Sequence, residues 1–233
     1  MDTMSRGGKR RYLDSVEPEE YIPQTGEVNL THLSLTGLAD LFGSDKGSIK
    51  HNYCDRYASL VQSIMRNRLN ESIVVGEVGV ACGASLRMWA NYLPKSKIIG
   101  FDVRPQCLNL CQDLKNVEIC IGDATDDLTF SKFSKFDLFI DDGSHIAEDI
   151  VKTFSIAWKK IAPGGYYVIE DLACTYSDIY TENYSNTFKN KVENKRENFI
   201  TFFDSLLRAI DSKKTDISSI NYHPQLMCIQ KSI

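Results

Sequence analysis

The sequence predicts an α/β domain built on a doubly wound, mostly parallel sheet. Two observations carry this. Five short apolar runs, IVVGEV (73–78), KIIGFDV (97–103), VEICIGD (117–123), FDLFIDD (136–142) and YYVIEDL (166–172), are rich in β-branched and aromatic residues, and each reads as a strand buried on both faces. Between them, residues 84–92, 105–114 and 146–161 place apolar side chains at helical spacing, so strand and helix alternate as right-handed crossover units require.

The elements follow in order. The first thirty residues are polar and charge-segregated, with Pro18 and Pro23, which predicts a flexible N-terminal arm over 1–30 and one domain over 31–233. From residue 33 to about 69, LSLTGLADLF and YASLVQSIMRNRL predict two helices on either side of a Gly-rich turn, Gly43 to Gly47. The helix over 146–161 is expected to stop at APGG (162–165). Beyond Leu172 a polar stretch predicts a lid insertion near 173–198, followed by an amphipathic helix at 199–210 and a last strand near 225–229.

Composition narrows the function. At 233 residues with 42% hydrophobic and 25% charged content, the chain reads as an ordinary globular domain. Lys+Arg 27 against Asp+Glu 31 gives a net charge of −4, which argues against nucleic acid as a partner, the short basic run Arg6 to Arg11 being the exception. No membrane span is expected, since even the window Ile73–Ala84 holds Glu77 and a span needs about 20 apolar residues. RGGKRR leads into DSVEPEE rather than an apolar core, so no signal peptide is read. Seven cysteines (54, 82, 107, 111, 120, 174, 228) without a CxxC pair suggest reduced, mostly buried thiols in a cytoplasmic protein.

One end of the sheet looks built for a cofactor. The first strand runs into Glu77-Val78-Gly79-Val80-Ala81-Cys82-Gly83, and the glycines four apart allow close backbone approach to a ligand where a helix begins and offers its N–H groups. Asp102, 23 residues after Gly79, ends the second strand where a carboxylate accepts ribose hydroxyls. Asp123 ends the third strand, placed to accept from an adenine amino group.

The neighbouring end looks built for chemistry. Strand four ends in Asp141-Asp142-Gly143-Ser144-His145 and strand five in Glu170-Asp171; the 28 residues separating Asp142 from Glu170 suit one crossover helix. Clustered carboxylates repel unless a cation joins them. An oxygen-rich set favours Mg²⁺ or Mn²⁺ over zinc, with Asp142, Glu170 and Asp171 as ligands and His145 as general base. An alcohol hydroxyl is a weak acid, and two neighbouring hydroxyls held on such an ion would be easier to deprotonate than an isolated one.

The ExGxxxG turn, an acid ending strand two and GDA ending strand three resemble the class I S-adenosylmethionine-dependent methyltransferases. With DDGSH, IEDL, GSDKG (43–47) and the HxYxxxY pattern from His51 to Tyr57, the chain is similar to the metal-dependent sugar O-methyltransferases that tailor macrolide and aminocoumarin antibiotics. This resemblance implies a Rossmann-like, seven-stranded sheet with helices on both faces. It also implies S-adenosylmethionine held by Glu77, Gly79, Gly83, Ser85, Asp102, Asp123 and Asp141, with Asp142 and His145 as catalytic residues, and methyl transfer to a deoxyhexose such as rhamnose on a glycoside or glycan. It leaves room for a homo-oligomer.

Asp45, Lys46, His51, Tyr53 and Tyr57 are candidates to close over the cofactor or sugar, and Tyr176, Tyr180 and Tyr184 to stack on sugar rings. Trp89 and Trp158 read as core. Three alternatives stand beside this reading: a catechol-like phenol as acceptor, a non-enzymatic cofactor-binding scaffold, and a non-haem iron oxygenase. The last is weakened because its facial triad needs a second histidine.

Overall fold

The computed structural model describes residues 29–66, 72–176 and 196–233. Nearly all of the expected arm (1–28) and most of the expected lid (177–195) lie outside the described residues, as do the basic run Arg6–Arg11, Tyr180 and Tyr184. The seven strands are β1 (Val74–Val78), β2 (Lys97–Asp102), β3 (Val117–Ile121), β4 (Phe136–Asp141), β5 (Ile161–Ile169), β6 (Ile217–His223) and β7 (Leu226–Lys231). They form one sheet in the order β3-β2-β1-β4-β5-β7-β6. β1 to β5 pair in parallel, whereas β7 runs antiparallel to both β5 and β6. The helices are α1 (Leu35–Phe42), α2 (Cys54–Arg66), α3 (Ala84–Tyr92), α4 (Ala147–Ala157) and α5 (Arg196–Asp211).

Both faces of the sheet are covered, because successive strand residues point to opposite sides. Leu138 and Ile140, Tyr166 and Val168, Leu226 and Cys228 join α1, α2 and α3 in one core. Phe139, Tyr167, Ile169, Met227 and Ile229 pack with α4 and α5 in the other. Trp89 is fully buried. Trp158 is only partly buried, and its indole N–H donates to Asp216.

Three local expectations change. The helix over 105–114 shrinks to a 3-10 turn at Pro105–Asn109, because Leu110 is extended and Cys111 takes a left-handed φ of 59°; the thiols of Cys107 and Cys111 face the carbonyls of Ala81 and Gly83. The helix over 146–161 stops at Ala157, and APGG lies within β5 rather than after a helix. There the pairing with β4 shifts register and Gly164 adopts φ 74°. β6 was not expected from its own residues: ISSINYH is a half-exposed edge strand whose polar composition hides its alternation.

The strand order reverses direction between β1 and β4, the switch point at which doubly wound sheets bind ligands. The backbones meet closely there. A Cβ at Gly79, whose φ is +93°, would overlap the Asp142 carbonyl oxygen, and Asp142 N–H donates to the Val78 carbonyl at 3.1 Å. No described helix is long and apolar enough to cross a membrane, and none of the seven cysteines forms a disulfide.

Candidate active site at the switch point

Four acids gather where β4 and β5 end. Glu170 follows β5 beside β4, its N–H donating to the Asp141 carbonyl at 3.1 Å. Asp142, His145 and Asp171 each present one ligand atom, and these atoms lie within 4.8 Å of one another. His145 Nε2 stands 3.8 Å from Asp142 Oδ1 and 3.9 Å from Asp171 Oδ2. Both His145 (φ 55°) and Asp171 (φ 52°) hold left-handed backbone, a conformation that costs a non-glycine residue roughly 1–3 kcal/mol and gathers at functional sites.

Lys46 and Tyr53 from the α1–α2 connection and Tyr57 from α2 hold further oxygens of Asp142, Asp171 and Glu170. Lys46 Nζ donates to Asp142 Oδ2 at 2.6 Å and to Glu170 Oε2 at 2.8 Å. Tyr53 OH donates to Asp171 Oδ1 at 2.8 Å, and Tyr57 OH donates to Glu170 Oε1. Glu170 therefore lies deeper than Asp142 and Asp171, with both oxygens engaged. His51 stacks on Tyr53 with its Nδ1 3.8 Å from Asp171 Oδ1, and Asp45 lies 3.9 Å from its Nε2. His51 approaches Asp171, but the ligand-spaced group among the described residues contains one histidine, His145.

Electrostatics at this edge favour a cation. Burial pushes the Glu170 carboxyl well above its usual range against the pull of Lys46, and burial likewise raises Glu77. Burial also pushes Asp141 up to about 7, opposed by the Tyr167 hydroxyl that donates to it at 2.7 Å. Burial by itself would lower the Lys46 ammonium, but Asp142, Glu170 and Glu77 outweigh it and hold the group well above its usual value. Three carboxylates, Asp142, Glu170 and Glu77, thus surround one lysine, with Asp141 and Asp171 at the same edge of the sheet. An oxygen-rich cluster with a partly exposed mouth suits a hard divalent ion.

The cofactor side fits its expected guest in part. Gly79 and Gly83 both take left-handed φ, 93° and 83°, and the start of α3 carries no side-chain cap, which leaves helix N–H groups facing the turn. Glu77 is fully buried, with Ser85 Oγ and Trp89 Nε1 donating to its two oxygens. Glu77 and Ser85 thus bond to each other and brace the turn from beneath. Asp102 accepts from Arg104 N, Nε and a terminal nitrogen and from the Val80 and Ala81 amides. Burial would raise its carboxyl, but the Arg104 bonds prevail and lower it. Asp123 is exposed and accepts from the Thr125 N–H and hydroxyl at 2.8 Å. Tyr176 is half exposed, with the Arg196 guanidinium 3.3 Å from its ring centroid.

Sequence reasoning named Lys46, Tyr53 and Tyr57 only as residues of a closing loop. The signal available was the GSDKG turn itself, in which the lysine sits beside glycine yet is 1% exposed. Gly47 explains the fold of the turn, because a Cβ there would overlap the Asp40 carboxylate that binds Ser48 N–H and hydroxyl.

Sheet order and the switch-point turn match the class I methyltransferase fold, and residues 77–172 match the model of a methyltransferase domain family. The structure is similar to the MycE methyltransferase of the mycinamycin pathway, solved in complex with Mg and SAH, with a TM-score of 0.67 and 24% identity over 86% of this chain and 55% of that one. Among curated relatives, an 8-demethyl-8-alpha-L-rhamnosyl tetracenomycin-C 2'-O-methyltransferase of Streptomyces olivaceus is 33% identical over 153 residues, covering 61% of this chain and 38% of the relative. The demethylmacrocin O-methyltransferase of Streptomyces fradiae is 35% identical over 48% of this chain and 30% of its own length. The chain thus spans well under half of the curated relatives it matches.

Proposed function

We propose that the protein is an S-adenosylmethionine- and Mg²⁺-dependent O-methyltransferase acting on a sugar hydroxyl, with a deoxyhexose such as rhamnose, carried on a glycoside or glycan, as acceptor. The observation that carries this reading is the convergence of Asp142, His145 and Asp171 at the switch point, one backbone contact from the Gly79 turn. The relatives named for methylating rhamnosyl and macrolide compounds support the sugar.

The residues divide the work. Gly79, Gly83 and the start of α3 would receive the cofactor, with Asp102 and Asp123 at the strand ends beside it and Glu77, Ser85 and Asp141 bracing the floor. Asp142 and Asp171, with Glu170 behind them, would hold the ion. When bound, the ion supplies Lewis acidity to a vicinal diol and the cofactor supplies the methyl group. His145 stands over the same point and takes the hydroxyl proton as the oxygen attacks. Asp142 and Asp171 flank its Nε2 at 3.8 and 3.9 Å.

Mass spectrometry of a panel of rhamnosides and simple catechols, each incubated with protein, S-adenosylmethionine and Mg²⁺, tests the proposal. It predicts a mass gain of one CH₂ on rhamnosides bearing adjacent free hydroxyls and none on the catechols. Gain on catechols alone moves the acceptor to phenols, and no gain on any substrate together with no calorimetric cofactor binding removes the enzyme reading.

A further inference from the structure

Lys46 is the only lysine among the buried residues described. Its Nζ stands 2.6 Å from Asp142 Oδ2, 2.8 Å from Glu170 Oε2 and 3.6 Å from Glu77 Oε1, so one ammonium faces acids from the ends of three adjacent strands, β1, β4 and β5. The backbone that delivers it is fixed: the Lys46 carbonyl accepts from Tyr53 N–H at 2.9 Å and from the Cys54 thiol at 3.1 Å, and its N–H donates to Ser44 Oγ. The two oxygens of Asp142 face different ways. Oδ2 meets the ammonium, and Oδ1 faces His145 Nε2 at 3.8 Å, on the side where Asp171 Oδ2 also lies.

We infer that Lys46 is a positioning residue that serves as a resident cation: its ammonium fills the inner of two cation positions at this edge, Asp142 bridges the two, and the outer position is left for a single exchangeable divalent ion. This rests on the metal-dependent reading above. Two divalent ions would otherwise fit an edge with this many carboxylates, since a bridging carboxylate commonly joins metal positions about 3.5–4 Å apart. A tethered ammonium in the inner position leaves Asp142 one oxygen for the ion and fixes its direction. It also offsets one negative charge permanently, so that the cluster needs one ion rather than two.

Manganese is the probe. Anomalous diffraction from the wild-type protein soaked in Mn²⁺ is expected to give one peak beside Asp142, Asp171 and His145, with Lys46 Nζ still hydrogen-bonded to Asp142 and Glu170. Titration of Lys46→Ala, which vacates the inner position, is expected to raise the stoichiometry from one Mn²⁺ per chain to two, with a spin-coupled signal in paramagnetic resonance; Lys46→Met, which fills the space without charge, should stay at one. An ion lying between Asp142 and Glu170 with the ammonium displaced overturns the inference, as does a folded Lys46→Ala that binds one ion at unchanged affinity. If Lys46→Ala does not fold, the wild-type diffraction still decides. Wild-type protein that binds no Mn²⁺ at all undoes the metal reading and this inference together, whereas a single ion in the wrong position undoes only this inference.

Discussion

At the β1–β3 side of the sheet edge, the side-chain partners of the acids that end β2 and β3 lie near them in sequence, and only backbone amides of the Gly79 turn reach Asp102 from farther away. Asp102 takes Arg104 from two residues away, and Asp123 takes Thr125 at the same separation. At the β4–β5 side the partners are remote: Lys46 lies 96 positions from Asp142 and 124 from Glu170, Tyr53 118 from Asp171, and Tyr57 113 from Glu170. The first arrangement is a set of turns that close on themselves and offer backbone to a ligand. The second is a site assembled by tertiary structure, in which side chains from the α1–α2 connection and from α2 aim carboxylates that β4 and β5 merely deliver. The difference places ligand approach on one side and charge control on the other, with Gly79 and Asp142 touching between them.

Separating the two sides gives the largest expected effect. Asp142→Ala should lower turnover by about 10³-fold or more, the several kcal/mol of Lewis-acid stabilisation lost with the ion, while calorimetric S-adenosylmethionine affinity stays within a few-fold. Equal loss of both would contradict the division. Gly79→Ala should instead damage both sides at once, since its Cβ meets the Asp142 carbonyl and its φ is +93°. Roughly 3 kcal/mol of stability should go, read as a lower denaturant midpoint, and cofactor and metal binding should weaken together.

His145→Ala should lower kcat by about 10²-fold and spare cofactor binding, because the imidazole belongs to the charge-controlling side alone. A far-edge control sharpens the contrast. Glu118 on β3 is paired with Lys132 and Lys97, each at 2.7 Å, and those bonds hold its carboxyl down to about 2. A carboxylate lowered in the folded state stabilises it at pH values above the unfolded pKa, and that contribution fades as pH falls toward 2. Glu118→Gln should therefore lose less than ~1 kcal/mol at pH 7, as an exposed pair does. Thermal unfolding in low salt should show that difference vanish near pH 2 with turnover unchanged throughout.

What the sequence made legible follows the same divide. The five parallel strands and α3 are local patterns, and α3 (84–92) has the expected bounds. ExGxxxG and DDGSH could be read because each motif's residues are neighbours in the chain. The short 3-10 turn at 105–109 was misjudged since Cys111 leaves helical space to satisfy contacts with the Gly83 turn, a tertiary demand that periodicity does not encode. Strand β6 was missed because an edge strand buries little, so its alternation is weak. The roles of Lys46, Tyr53 and Tyr57 were hidden for the reason that defines their side of the site: a lysine in a glycine turn reads as solvated until the fold brings three acids around it.

The central claim, that the β4–β5 acids hold a divalent ion which methyl transfer needs, is tested most directly by stripping the protein with EDTA and titrating Mg²⁺ back while following methyl transfer to a rhamnoside. The account predicts no turnover in the stripped protein and recovery that tracks occupancy of one ion per chain. Undiminished transfer in the presence of EDTA would contradict it.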